Sequence, residues 1–193
     1  MNAASRLDEL RADFLANTTV SMPIAGMIFW GAIAFASLRL TPNALALLVL
    51  FGSGMIFPLG MFIDRLRGRT MRAGTGGNPV MAMFLQSLGL VALVWPLIIL
   101  SARAAGDANL FVLGGAILMG IIWIPYGWAA DDRTGMEHAI LRGILCYAAF
   151  LYVPAPYKAL AISVVVMMAY LYSLVRMKRP PAGQFVRASG AAG

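Results

Sequence analysis

Residues 80–102 read VMAMFLQSLGLVALVWPLIILSA, an unbroken stretch without a charged side chain. As an α-helix rising 1.5 Å per residue it extends about 34 Å, enough to cross the roughly 30 Å hydrocarbon core of a bilayer. The rest of the chain has the same character. Of 193 residues, 61% are hydrophobic and 12% charged, with a mean hydropathy of +0.80. Soluble domains run at about 45–50% apolar and 25% charged, so a soluble fold of this size could not hide so much apolar surface. The apolar runs are continuous rather than alternating, which excludes a transmembrane barrel pattern.

Working outward from that stretch, five further spans are expected: Val20–Leu38, Ala44–Ile63, Leu110–Ala130, Met136–Val153 and Ala159–Val175. The predicted fold is an all-α polytopic membrane bundle, six transmembrane helices built as three hairpins, in one domain over residues 19–176. Residues 1–18 form a cytoplasmic amphipathic segment, with Leu7, Leu10, Phe14 and Leu15 at helical spacing, suited to lie on the membrane surface. Residues 177–193 form a disordered basic tail. The fifth span is the weakest, being short and carrying Glu137, His138 and Arg142 in its first half. Ala34-Phe35-Ala36 has the form of a signal-peptide cleavage site. The polar region before it carries Asp8, Glu9 and Asp13 against Arg6 and Arg11, so the first span is expected to be retained.

Lysines and arginines orient the bundle. Arg6, Arg11, Arg65, Arg67, Arg69, Arg72, Arg133, Arg176, Lys178, Arg179 and Arg187 fall on one side, and only Arg39, Arg103 and Lys158 on the other. Both termini are therefore expected in the cytoplasm, in the plasma (inner) membrane of a cell. The formal charge of +7 is read as contact with anionic lipid at that face rather than with nucleic acid. Trp123, Tyr126 and Trp128 suit the headgroup boundary near the end of span four. Trp30 and Trp95 lie deeper and are expected to pack between helices.

One cysteine, Cys146, and one histidine, His138, allow neither an intrachain disulfide nor a His/Cys metal site within one protomer. Gly74–Gly77 lacks the Lys-Ser/Thr ending of a phosphate loop and reads as a flexible loop. No nucleophile motif is present, and no cofactor or metal is expected.

Ionisable groups near the spans form a candidate cytoplasmic polar cluster of Asp64, Asp131, Asp132, Glu137, His138 and Arg142. His138 and Arg142 share a helix face that Cys146 continues. Arg142 lies a turn or more into span five and needs an anion or a carbonyl, with Asp64, Asp131 or Asp132 as candidates. Such a cluster either lines a vestibule that binds an anionic group or ties spans two, four and five together as an ion pair. A second feature repeats at a 67-residue offset: Pro58-Leu59-Gly60 with Asp64, and Pro125-Tyr126-Gly127 with Asp131. Pro58, Gly60, Pro125 and Gly127 are candidate kink positions, since each proline frees a carbonyl one turn earlier and each glycine permits close approach. Ser53, Gln86 and Ser87 are expected to hydrogen-bond between helices.

Leu10-Arg11-x-x-Phe14, Met22-Pro23, Asn78-Pro79 and Ile124-Pro125-Tyr126-Gly127-Trp128 together resemble the landmarks of a family of small bacterial multi-span integral-membrane proteins of unknown function. The resemblance covers most of the chain and implies a compact multi-span fold, with no activity to carry over. The longer arginine-rich second loop and the proline-rich tail depart from it.

On these grounds the expected function is a small-solute transporter or channel-like protein, possible as a homo-oligomer. The alternatives are an enzyme acting on lipid at the cytoplasmic leaflet, with Glu137, His138, Asp131 and Asp132 converging for acid–base work, and an accessory or scaffold subunit of a membrane complex.

Overall fold

The structure is a computed structural model that describes residues 3–18, 20–68 and 77–178. The glycine-rich loop expected to be flexible and the tail from Arg179 lie outside the described residues. Every regular element among the described residues is helical: α1 (Ala3–Asn17), α2 (Met22–Ser37), α3 (Pro42–Ser53), α4 (Ile56–Leu66), α5 (Pro79–Ala105), α6 (Asn109–Ile121), α7 (Trp123–Ala129), α8 (Thr134–Tyr152) and α9 (Lys158–Arg176), the last preceded by a 3-10 turn at Ala155–Tyr157.

Local chemistry places the helix ends. Thr41 caps α3 by accepting the Ala44 N–H, and Pro42 supplies a first residue that needs no donor. Asn78 does the same for α5, its Oδ1 accepting from Val80 at 2.9 Å and Met81 at 3.4 Å ahead of Pro79. Gly106 ends α5 in the left-handed region, φ 64°, where a side chain would be strained.

Three stretches are long and apolar enough to cross a membrane: Pro79–Ala105, Asn109–Ala129 and Ala155–Arg176. The number rises to five if α1 with α2, and α3 with α4, are each taken as one bent span. The α3–α4 pair is bent by 53° at Gly54-Met55. Pro58 has no N–H to return to the Gly54 carbonyl, so the break falls one turn before the proline. The α6–α7 junction at Ile122 likewise lies one turn before Pro125. The helix starts keep the same 67-residue offset, Pro42 against Asn109 and Ile56 against Trp123.

The centre of the bundle is α2 against α9, with α8 and α6 completing a four-helix core. Trp30, Ile33, Val112, Ala116, Cys146, Ile162 and Val166 are buried there. Trp30 is enclosed as expected, and Trp95 stacks on Phe111 with ring centroids 5.3 Å apart. The outermost helix is α5, which buries only Val80, Met81, Phe84 and Ala102 of its 27 residues. Its outer face shows Leu90, Leu93, Leu97 and Leu100, all exposed. Apolar exposure on this scale marks a surface covered by something other than water.

The amino-terminal helix is docked on the bundle. Phe14 is fully buried, edge-on to Phe84 and Tyr126 at 5.4 and 5.7 Å. The Asn78 amide donates to the Leu10 carbonyl at 2.8 Å and to Asp13 at 2.6 Å. Three of the sequence landmarks, Leu10–Phe14, Asn78 and Tyr126, thus meet at one junction of α1, α5 and α7.

Candidate functional site

The six residues grouped from sequence occupy three separate places. Asp64 is buried near the end of α4 and fixes the entry to α2, its carboxylate accepting the Val20 N–H at 3.0 Å and the Ser21 hydroxyl at 2.7 Å. It is therefore engaged in the chain's own architecture, at the corner before α2.

Asp131, Asp132 and Glu137 line a charged surface cleft with Arg11, Arg133, Arg176 and Lys178. The turn that carries them is forced tight. Gly127 of α7 and Gly135 of α8 pack backbone to backbone: a Cβ on Gly127 would lie 2.7 Å from the Asp132 carbonyl and 3.0 Å from Gly135 Cα. This is the close approach that the glycine of the repeat was expected to permit. Gly60, its counterpart, is buried on α4. Asp131 takes a positive φ of 49° and accepts from Arg11 and from Lys178, each at 3.3 Å. Asp132 accepts the Thr134 N–H at 2.9 Å and the Lys178 N–H at 2.7 Å. Burial pushes the Asp132 carboxyl up, but these bonds from Lys178 and Thr134 outweigh it and hold the group below the usual carboxylate range. Glu137 accepts from the Tyr172 hydroxyl. The first helix and Lys178, two residues beyond α9, thus come together at Asp131.

His138 and Arg142 sit in the interior, both fully buried. His138 stacks on Trp123, with ring centroids 4.6 Å apart, and its Nδ1 lies 3.0 Å from the Ala169 carbonyl oxygen and 2.7 Å from Ser173 Oγ. A carbonyl only accepts, so the network puts the hydrogen on Nδ1 and leaves Nε2 as an acceptor. Arg142 Nη1 lies 3.4 Å from that Nε2. The guanidinium carbon stands 5.5 Å from the centre of the Trp30 ring and 5.2 Å from that of Tyr170. Gly120 of α6 makes room for it, since a Cβ there would lie 3.1 Å from Arg142 Cδ and 3.3 Å from Nε.

Arg142 has no carboxylate partner among the described residues. Asp131 and Asp132 are taken by Lys178, Arg11 and Thr134 at the surface, and Asp64 holds the corner before α2. The acid–base residues do not converge either: Glu137 turns to Tyr172 at the cleft while His138 turns inward to Ala169 and Ser173.

A cavity of about 240 Å³ opens beside this core. The α3–α4 bend and the α6–α7 junction border it, Ser53, Gly54 and Ile56 on one side and Met119, Ile122 and Trp123 on the other. Ala92 and Trp95 of α5 face it, and Tyr170 closes the side toward Arg142. Its lining is mostly apolar. Ser53 and Ser87 do not bridge helices as expected. They donate within their own helices, to Leu50 at 2.9 Å and to Phe84 at 2.6 Å. Gly120 and Tyr170 carry no mark in the sequence, and Trp30 is expected there to pack between helices but not against an arginine. Each stands on a different helix from Arg142, and only the deep placement of Trp30 offered a signal.

A family model described as a family of unknown function (DUF7010) matches residues 7–178. No curated protein and no solved structure matches the chain.

Proposed function

Because the chain belongs to DUF7010, a family of unknown function, through residues 7–178, we propose a function from its geometry alone: a multi-pass membrane transporter or channel-like protein for a small solute. One observation carries this reading. The bent pair α3–α4 and the continuous span α6–α7, interrupted by a single residue ahead of Pro125, border one cavity, with Gly54 and Ile122 both in its wall. Discontinuous helices around a site near the bilayer midplane are a recurrent construction in transporters. The matching 67-residue offset of the two proline-bearing segments, α3–α4 and α6–α7, supports a duplicated hairpin, α2–α4 and α5–α7, with α8–α9 as the third.

In this reading the chain crosses the membrane six times. The fifth crossing is α8, 19 residues and about 28 Å long, which keeps its charged groups at its first turns or inside the bundle. Arg11 and Lys178 meeting on Asp131 supports an even number of crossings, and the arginine distribution places that end in the cytoplasm of the plasma (inner) membrane.

Cysteine accessibility tests the pathway without knowledge of the solute. In a Cys146→Ala background, Ser53→Cys and Ile122→Cys react in sealed vesicles with a water-soluble, membrane-impermeant thiol reagent from at least one face. Protection of both positions from both faces contradicts a solute pathway.

An accessory-subunit reading draws on a different feature. Leu90, Leu93, Leu97 and Leu100 recur on the exposed side of α5 at the spacing of a helix-packing seam, suited to a second copy or a partner helix. Crosslinking at Leu93→Cys in membranes reads out that contact.

A further inference from the structure

The guanidinium of Arg142 is fully enclosed, yet its Nε and Nη2 find no acceptor. These two nitrogens form one edge of the planar group, with parallel N–H bonds, which is the edge that receives a carboxylate bidentately. Nη1, on the other side, is the atom turned to His138. Trp30, whose ring packs on the guanidinium, carries a third buried N–H, Nε1, that also has no acceptor. Every unsatisfied group here is a donor. A buried cation without a counter-charge costs several kcal/mol in a low-dielectric interior, and among the described residues no ion pair to Arg142 offsets it.

We propose that Arg142, with Trp30, binds the carboxylate of a small organic monoanion, its apolar body occupying the cavity beside the α3–α4 bend and the α6–α7 junction. One fixed positive charge in an aromatic surround neutralises one negative charge, which favours a monocarboxylate over a phosphate dianion. His138 holds the guanidinium in place: its Nδ1–H is anchored on Ala169, so Nε2 presents a lone pair to Nη1 and leaves the opposite edge for the ligand. Tyr170 belongs both to the cavity wall and to the rings flanking Arg142. Neither Arg142 nor Trp30 lines the cavity, and Tyr170 stands between it and the guanidinium, so the bound state requires that side chain to move. This names the substrate class for the proposed transporter and rests on that reading only in treating the ligand as a solute.

The test uses the full chain in a neutral detergent, with thermal unfolding and calorimetry as readouts. Benzoate is the solute probe, laurate the membrane-derived probe and inorganic phosphate the dianion control. Wild-type protein is expected to show a saturable rise in unfolding temperature with benzoate and no response to phosphate. Arg142→Gln abolishes the response, and Trp30→Phe, which keeps the ring and removes the donor, weakens it by about tenfold, the loss of one charge-assisted hydrogen bond. Response to laurate alone upholds the carboxylate site and moves its source to the lipid phase. No saturable response to either carboxylate in wild type, tighter binding of phosphate, or an undiminished response in both variants overturns the proposal. Should Arg142→Gln fail to fold, Trp30→Phe decides. Cysteine accessibility at Ser53 that persists without carboxylate binding leaves the pathway standing and removes only its substrate class.

Discussion

Arg142 Nη1 lies 3.4 Å from Nε2 of His138, one helical turn earlier on α8, and both side chains are completely enclosed. The pair places a positive charge where four helices meet, without a carboxylate among the described residues to balance it. Replacement of such a charge by an apolar side chain of similar length relieves an electrostatic cost while keeping the packing against Trp30 and Tyr170. Arg142→Met is therefore predicted to be neutral to stabilising in ligand-free detergent, by up to roughly 4 kcal/mol. Thermal unfolding beside wild type checks this, and a large loss of stability would mean that the guanidinium is already well satisfied.

The α7–α8 turn makes an opposite prediction for two glycines of one helix. A Cβ on Gly135 meets the Trp123 carbonyl and the backbone of Gly127, neither of which can swing aside. Gly135→Ala is expected to cost about 1–3 kcal/mol, the range for forced overpacking. Gly143, further along α8, has nothing within 4 Å of its Cβ position. Gly143→Ala is expected to stabilise by about 0.5–1 kcal/mol through backbone entropy. Equal effects in unfolding assays would contradict this packing of α7 on α8.

Asp132 gives the turn a pH dependence of defined sign. Its carboxyl is held below the ordinary range, so its contribution is complete above the unfolded carboxylate pKa of about 4 and is lost as pH falls through the folded value. Acidification should release Lys178 from the turn before the bundle itself opens. The mobility of a spin label at Met177→Cys, followed from pH 6 to about pH 2, is expected to stay constant down to about pH 4 and to rise below it in wild type, and to be higher above about pH 4 in Asp132→Asn.

The bend in α3–α4 is attributed to the missing donor at Pro58. Pro58→Ala restores an N–H to the Gly54 carbonyl and should straighten the pair. Spin labels at Leu47 and Phe62, both exposed, are predicted to move apart by about 2–3 Å, the geometry of opening a 53° bend over one such stretch of helix. An unchanged distance would show that packing rather than proline chemistry sets the bend.

Much of this architecture was legible in the sequence, for local reasons. The bend before Pro58 follows from a missing donor, while at Pro125 the helix is interrupted at Ile122 and continues as one span; the helix starts at Pro42 and Pro79 follow from Thr41 and Asn78. Gly127 was recognisable as a point of close approach, though its partner Gly135 was not. The surroundings of Arg142 were less legible. A carboxylate was sought among Asp64, Asp131 and Asp132 because they are near in sequence or at the same span ends. Asp64 instead holds the corner before α2, and the other two hold Arg11, Thr134 and Lys178. The groups that surround the guanidinium, Trp30 of α2, Gly120 of α6 and Tyr170 of α9, are brought together by tertiary packing that no local pattern encodes.

The proposed bundle crosses the bilayer six times and has its two ends on one face. Sided labelling of single cysteines in a Cys146→Ala background measures it, using Glu9→Cys, Arg103→Cys and Lys178→Cys in intact cells and in inverted vesicles. Positions 9 and 178 are predicted to label only from the cytoplasmic face and position 103 only from the opposite face. Labelling of 9 and 178 from opposite faces would contradict the account.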